Sequence, residues 1–106
     1  MSELLANGTP TAVFAPNDFA ALGALDAIEQ SGLSVPDDIS LAGYDNINVT
    51  HFRRIHLTTI QQHARRMGEI AVELLLERID GERAEPKHVV VPPELIVRSS
   101  TAEPKA

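Results

Sequence analysis

Thr11-Ala-Val-Phe-Ala-Pro-Asn-Asp18 and Val35-Pro-Asp-Asp-Ile-Ser-Leu-Ala-Gly-Tyr-Asp-Asn46 decide the fold. Each is a short apolar run that ends in amide and carboxylate side chains. Between them, Phe19-Ala-Ala-Leu-Gly-Ala-Leu-Asp-Ala-Ile28 reads as a helix that closes near Gly32. Strand, helix and strand over this span are long enough for a right-handed crossover between parallel strands. In an open parallel sheet, groups at the carboxyl ends of the strands line the crevice where ligands bind. Asn17, Asp18 and Asp45 are therefore expected on one rim, as a polar ligand site with no chemistry implied by their types alone.

Outward from this unit, Ser2 to Ala6 reads as a helix broken by Asn7-Gly8. Thr11 to Ala15 is a continuous apolar strand suited to burial on both faces. Pro16 and Asn17 stop it, and Asn17 or Asp18 can cap the helix that follows. That helix runs to about Ser31, with Gly32 as its C′ residue. It is apolar around most of its girth (Phe19, Leu22, Leu25 and Ile28 among alanines), where one stripe suffices for a single buried face. A second packed surface is expected. Leu33 to Asp38 is a connection, Ile39 to Gly43 a buried strand, and Asn46 to His56 a loop or short helical turn. Leu57 to Ile60 is a further β segment. From Gln61 the period becomes helical, with Ala64, Met67, Ala71, Leu74, Leu75 and Ile79 on one face, up to Asp80-Gly81. His88 to Val91 and Glu94 to Val97 are strand segments separated by Pro92-Pro93, which suits an edge or crossing. Ser99 to Ala106 is expected to fray. The fold class is α/β, a parallel sheet flanked by helices.

The chain has 106 residues, 43% of them hydrophobic and 23% charged, an ordinary globular balance. With no Trp, one Tyr and three Phe, its core must be aliphatic. It has no Cys, which removes disulfides, thiolate metal sites and a Cys nucleophile. Net charge is −6, with nine basic residues against fifteen acidic ones. DNA affinity rests on basic groups neutralising phosphates, so this polypeptide by itself is expected to bind DNA poorly. Met1 to Pro10 has neither a basic start nor a long apolar stretch, and no run reaches membrane-spanning length. A cytoplasmic location is expected. The four histidines, His51, His56, His63 and His88, have no helical zinc-pair spacing. Ser99-Ser100 lacks a nucleophile elbow, and no Gly-rich loop precedes a Lys. No metal, cofactor or catalytic residue is expected.

The ordered set Asn17-Asp-x-x-Ala-x-Gly23, then Gly32-Leu-x-Val-Pro-x-Asp-Ile-Ser-x-x-Gly-Tyr-Asp-Asn46, then Leu57-Thr-Thr-Ile-x-Gln62 resembles the C-terminal part of lactose/galactose-repressor (LacI/GalR) regulators. Gly43-Tyr-Asp-Asn46 is similar to the purine-repressor branch. The resemblance runs from about Thr11 to Ser100. It implies a partial type I periplasmic-binding-protein-like fold. Residues 1–98 would be a fragment of the effector-binding and dimerisation core and 99–106 a flexible tail. A helix-turn-helix and a first lobe would lie outside the chain.

In such regulators a small effector closes two lobes and shifts a dimer between operator-bound and released states, which requires unequal affinity for those states. The resemblance makes Asp45 the first effector contact. It places Asn17 and Asp18 at the cleft rim, with Asn17 read as facing ligand and Asp18 as the cap. Leu22 and Asp26, on the over-apolar helix, fall at the dimer interface. His56 stands where the family usually has Pro, and Ala64 where sugar-binding relatives have a stacking aromatic. The effector is thus purine-like, sugar or another small molecule. The partners implied are that effector, a second copy, and operator DNA through the missing N-terminal domain, with no membrane. The helix Gln61–Asp80 would lack its packing surface, so association through apolar faces is expected. One alternative is a fragment of an exported sugar-binding protein. A receiver-type signalling domain with Asp45 as phospho-acceptor is another, but Asp37-Asp38 lie on a connection and Lys87 is badly placed. Nothing beyond scattered carboxylates supports an enzyme.

Overall fold

The computed structural model describes residues 1–105, and these divide into two units. The first joins Met1–Gln61 to the stretch that begins at Glu94, and the second is Gln62–Pro93.

In the first unit, helix α1 (Ser2–Ala6) ends at Asn7, ahead of Gly8 at φ 122°. Strand β1 (Ala12–Phe14) leads to helix α2 (Asp18–Gln30), which stops at Ser31 with Gly32 at φ 78°. Strand β2 (Ser40–Ala42) returns parallel to β1, with Val13 opposite Leu41. A parallel bridge from Ala42 to Thr58 places the Leu57–Thr58 segment on the other edge of β2. The chain then continues as β3 (Thr59–Gln61), which pairs antiparallel with β4 (Glu94–Ile96). The expected loop holds one 3-10 turn, Asn48–His51.

Helix α2 buries Asp18, Ala21, Ala24 and Ile28. That spacing of three and four presents one face to the sheet. The core gathers Ala15, Ala21, Ala24, Leu41 and Leu57, with Val13, Leu25, Val35 and Ile55 packed around it. Alanines let the helix sit close, which suits a chain with few aromatics. The expectation that β1 is buried on both faces is not met: Ala12 is exposed and Phe14 is 63% exposed. Among the described residues β1 pairs along its β2 edge alone, and the face that carries Phe14 is open.

In the C-terminal stretch, expected to fray, Ser100 and Ala102 are fastened to the sheet. Ser100 is 4% exposed; its hydroxyl accepts from Thr58 N–H at 2.8 Å and donates to Leu41 C=O at 2.5 Å. Its own carbonyl accepts from Leu41 N–H at 2.9 Å. Ser40 Oγ exchanges hydrogen bonds with the backbone of Ala102, at 3.1 Å to its carbonyl and 3.0 Å from its N–H. Serine hydroxyls are fastened into the β2 ladder, a role that short polar residues at a terminus do not announce. Ala106 lies outside the described residues.

The second unit is helix α3 (Ala64–Ile79) and the chain after it. Asp80 and Gly81 (φ 75°) end the helix, as expected. Two arginines then stitch the turn to it. Arg83 donates to Glu77 Oε2 and to Leu74 C=O, each at 3.0 Å, and Arg78 donates to Ala84 C=O at 3.0 Å. Cations near a helix C-terminus complement its dipole. His88 to Val91, expected as a strand, forms no ladder among the described residues. Instead Val89 and Val91 line a cavity of about 160 Å³ with Met67, Ile70, Ala71 and Leu74. No residue of α3 is buried, and Leu75 and Ile79 are 59% and 68% exposed.

Candidate functional site

The carboxyl ends of the parallel strands converge through main-chain bonds. Asp18 N–H donates to Tyr44 C=O at 2.9 Å, which sets the chain after β1 beside the chain after β2. Asp45 N–H donates to Ile60 C=O at 3.0 Å, and Asn46 N–H to Thr59 Oγ1 at 3.3 Å. Asn17 and Asp45 thus stand on neighbouring strand ends at one rim, with the start of β3 beside them.

The division of labour between Asn17 and Asp18 differs from that expected, since Asp18 is neither the cap nor open to a ligand. Asn17 is the cap: its Oδ1 accepts from Ala20 N–H at 2.8 Å. Asp18 is the first helical residue and is fully buried. Its Oδ1 accepts from Thr59 Oγ1 at 2.6 Å and its Oδ2 from Ile47 N–H at 2.9 Å. A carboxylate at a helix N-terminus is favoured by the helix dipole, and here both oxygens are engaged by the fold. Asp18 is therefore a clasp between α2, the loop and β3, with no access to a ligand. The physical reason for the difference is geometric. The residue before the first turn has the extended backbone a cap requires (Asn17 φ −156°), and the next side chain points inward.

Gly43 makes the clasp possible. A Cβ built there would land on Asp18 Oδ1, 3.0 Å from Leu57 Cδ2 and 3.2 Å from Asp18 Cα. Glycine inside a strand often marks such an approach of another chain segment.

Asp45 has φ 121° and Asn46 has φ 57°. Asn tolerates the left-handed region; an Asp at 121° does not rest there without support, at a cost on the order of 1–3 kcal/mol. The residue after Asp45 is held by a polar frame. Asn46 Oδ1 accepts from Arg98 Nη2 at 2.7 Å, and Arg98 Nη1 donates to Thr50 Oγ1 at 3.0 Å and Leu57 C=O at 2.9 Å. Thr50, fully buried, donates to Ile47 C=O at 2.6 Å. Arg98, Thr59 and Gly43 are the residues that sequence reasoning missed. A single basic residue after the apolar Leu95-Ile-Val97 was the available signal for Arg98.

Leu22 and Asp26 lie one turn apart on α2, away from the rim. Leu22 is half-buried, and Asp26 is exposed and accepts from Gln30 Nε2 at 2.9 Å. Phe19, on the same helix, is 72% exposed. No group of three or more His, Asp or Glu able to hold a metal occurs among the described residues. No helix there is long and apolar enough to cross a membrane.

Residues 1–101 match the family described as periplasmic binding protein-like domain. The chain is 50% identical over 101 residues to the HTH-type transcriptional repressor PurR of Pasteurella multocida, covering 94% of this chain and 30% of that protein. It is 49% identical over 96 residues to PurR of Aliivibrio fischeri strain ES114, covering 91% of this chain and 28% of that one. The lac repressor dimer bound to operator and the anti-inducer ONPF superposes with a TM-score of 0.87 at 37% identity, over 96% of this chain and 36% of that one. A LacI-family regulator from Enterococcus faecium with bound ribose gives 0.85 at 36% identity, over 98% and 39%. The chain thus spans about 30% of the length of the curated relatives it matches.

Proposed function

From the premise that this chain belongs to the periplasmic-binding-protein-like domain family, we propose that it is the effector-sensing and dimerisation portion of a bacterial transcriptional regulator. A small molecule, purine-like or sugar, binds at the rim formed by the ends of β1, β2 and the start of β3. Asp45 accepts hydrogen bonds from it, and Asn17 offers its amide. The operator is read by an N-terminal domain outside these residues, in the cytoplasm. Occupancy at the rim changes the operator affinity of a dimer held in part by α2, through Leu22 and Asp26. The observation that carries this reading is Asp45, a carboxylate at φ 121° on a strand end. Backbone geometry there favours glycine, and residues held in such strained states cluster at ligand sites.

The relatives near 50% identity are repressors rather than enzymes, which favours a sensor over a catalyst and over an exported binding protein. The test is calorimetric titration of purine bases and pentoses into the chain joined to its native upstream sequence, with Asp45→Ala as control. A loss of heat in the variant supports the reading. Equal affinity in parent and variant rejects Asp45 as the contact.

A further inference from the structure

We infer that Arg98 is the positioning residue of the effector site, acting on Asp45 through Asn46. The inference rests on the reading of Asp45 as the effector contact.

Arg98 lies two residues beyond β4 and is remote in sequence from the rim. Its guanidinium spans three groups that frame the turn after Asp45: Asn46 Oδ1 at 2.7 Å, Thr50 Oγ1 at 3.0 Å and Leu57 C=O at 2.9 Å. All three acceptors are uncharged. The arginine therefore serves as a rigid fork with several fixed donors, a geometry that a lysine's single ammonium does not reproduce. The residue it grips hardest, Asn46, is the second of two consecutive residues at positive φ. Releasing Asn46 would let Asp45 relax out of its sparsely populated backbone state and move its carboxylate from the rim. Thr58 tightens the arrangement from the opposite side: its Oγ1 accepts from Arg98 N–H at 2.9 Å and donates to Arg98 C=O at 3.1 Å, fixing the arginine's own backbone. Asp18 holds the next residue, Ile47, and Thr59 Oγ1 holds the Asn46 N–H, so the charged grip on the Asn46 side chain comes from Arg98.

The experiment is residue-resolved amide hydrogen exchange on the chain, parent against Arg98→Lys. Thr50→Val serves as a second variant that removes one acceptor and keeps the arginine. Exchange is expected to accelerate about tenfold or more at Asp45, Asn46 and Ile47, with Leu41 and Gly43 unchanged, since local openings are read amide by amide. Arg98→Ala should show the same local loss, and millimolar guanidinium, but not sodium chloride, should reverse it. Unchanged exchange at Asp45 to Ile47 overturns the inference. So does acceleration spread evenly over β2, which would make Arg98 a general support of the fold. A parallel titration of ribose and guanine separates the two readings. Binding lost in Asp45→Ala but intact in Arg98→Lys overturns the role of Arg98 and leaves the site. Binding intact in Asp45→Ala overturns the site itself.

Discussion

Asp45 and Gly43 show how two residues apart on one strand end can answer to opposite demands. Gly43 is there because any side chain would collide with Asp18 and Leu57. Gly43→Ala is expected to cost about 1–3 kcal/mol, the range for forcing a methyl into packed structure, seen as a lower urea midpoint at constant slope. Asp45 sits where glycine would be at ease. Asp45→Gly should stay within about 1 kcal/mol of the parent, because relief of the strained backbone offsets the lost side-chain interactions. It should still abolish effector binding by titration. A large loss of stability in that variant would make the carboxylate a structural group.

Among the elements, the C-terminal stretch contributes more than its composition promises. Ser100 fills a gap in the ladder between β2 and the Leu57–Thr58 segment with a side-chain hydroxyl. Ser100→Ala leaves Leu41 C=O and Thr58 N–H without that partner in a buried place. Such unmade bonds cost about 1–3 kcal/mol, measurable by chemical denaturation. α3 is the opposite case, a helix of clear period with no buried residue. Burial of a large aliphatic side chain is worth about 1.5–3 kcal/mol, so Met67, Leu75, Leu76 and Ile79 provide a strong drive to associate. Sedimentation over a dilution series is expected to show self-association at micromolar concentration, abolished by Leu75→Glu with Leu76→Glu. A stable monomer with full helicity would contradict this.

For the molecule as a whole, acid is a further probe of how the terminus is held. Ser34 N–H donates to Asp38 Oδ2 at 2.9 Å, and Lys105 Nζ lies 3.1 Å from its Oδ1. These contacts, the Ser34 amide first, hold the Asp38 carboxyl below its ordinary 3.8. A folded value below the unfolded one stabilises the fold above the unfolded pKa, and that contribution is lost as pH falls through the folded value. Thermal midpoints should therefore decline as the pH is taken below 3.8, with a shallower decline in Asp38→Asn.

The sequence alone determined the strand–helix–strand order and the helix ends at Gly32 and Gly81. All of these follow from local signals: apolar runs, caps, and residues that tolerate a reversed backbone. Only the tertiary structure decided which of Asn17 and Asp18 caps α2, that Ser100 enters the sheet, that Val89 and Val91 line a cavity rather than join a ladder, and that Arg98 reaches Asn46. Each of those outcomes depends on a partner remote in the chain, such as Ile47 and Thr59 for Asp18, or Leu41 and Thr58 for Ser100. Periodicity and capping rules reach only a few residues along the backbone, whereas a hydrogen bond requires two groups brought within about 3 Å by the packing of everything between them.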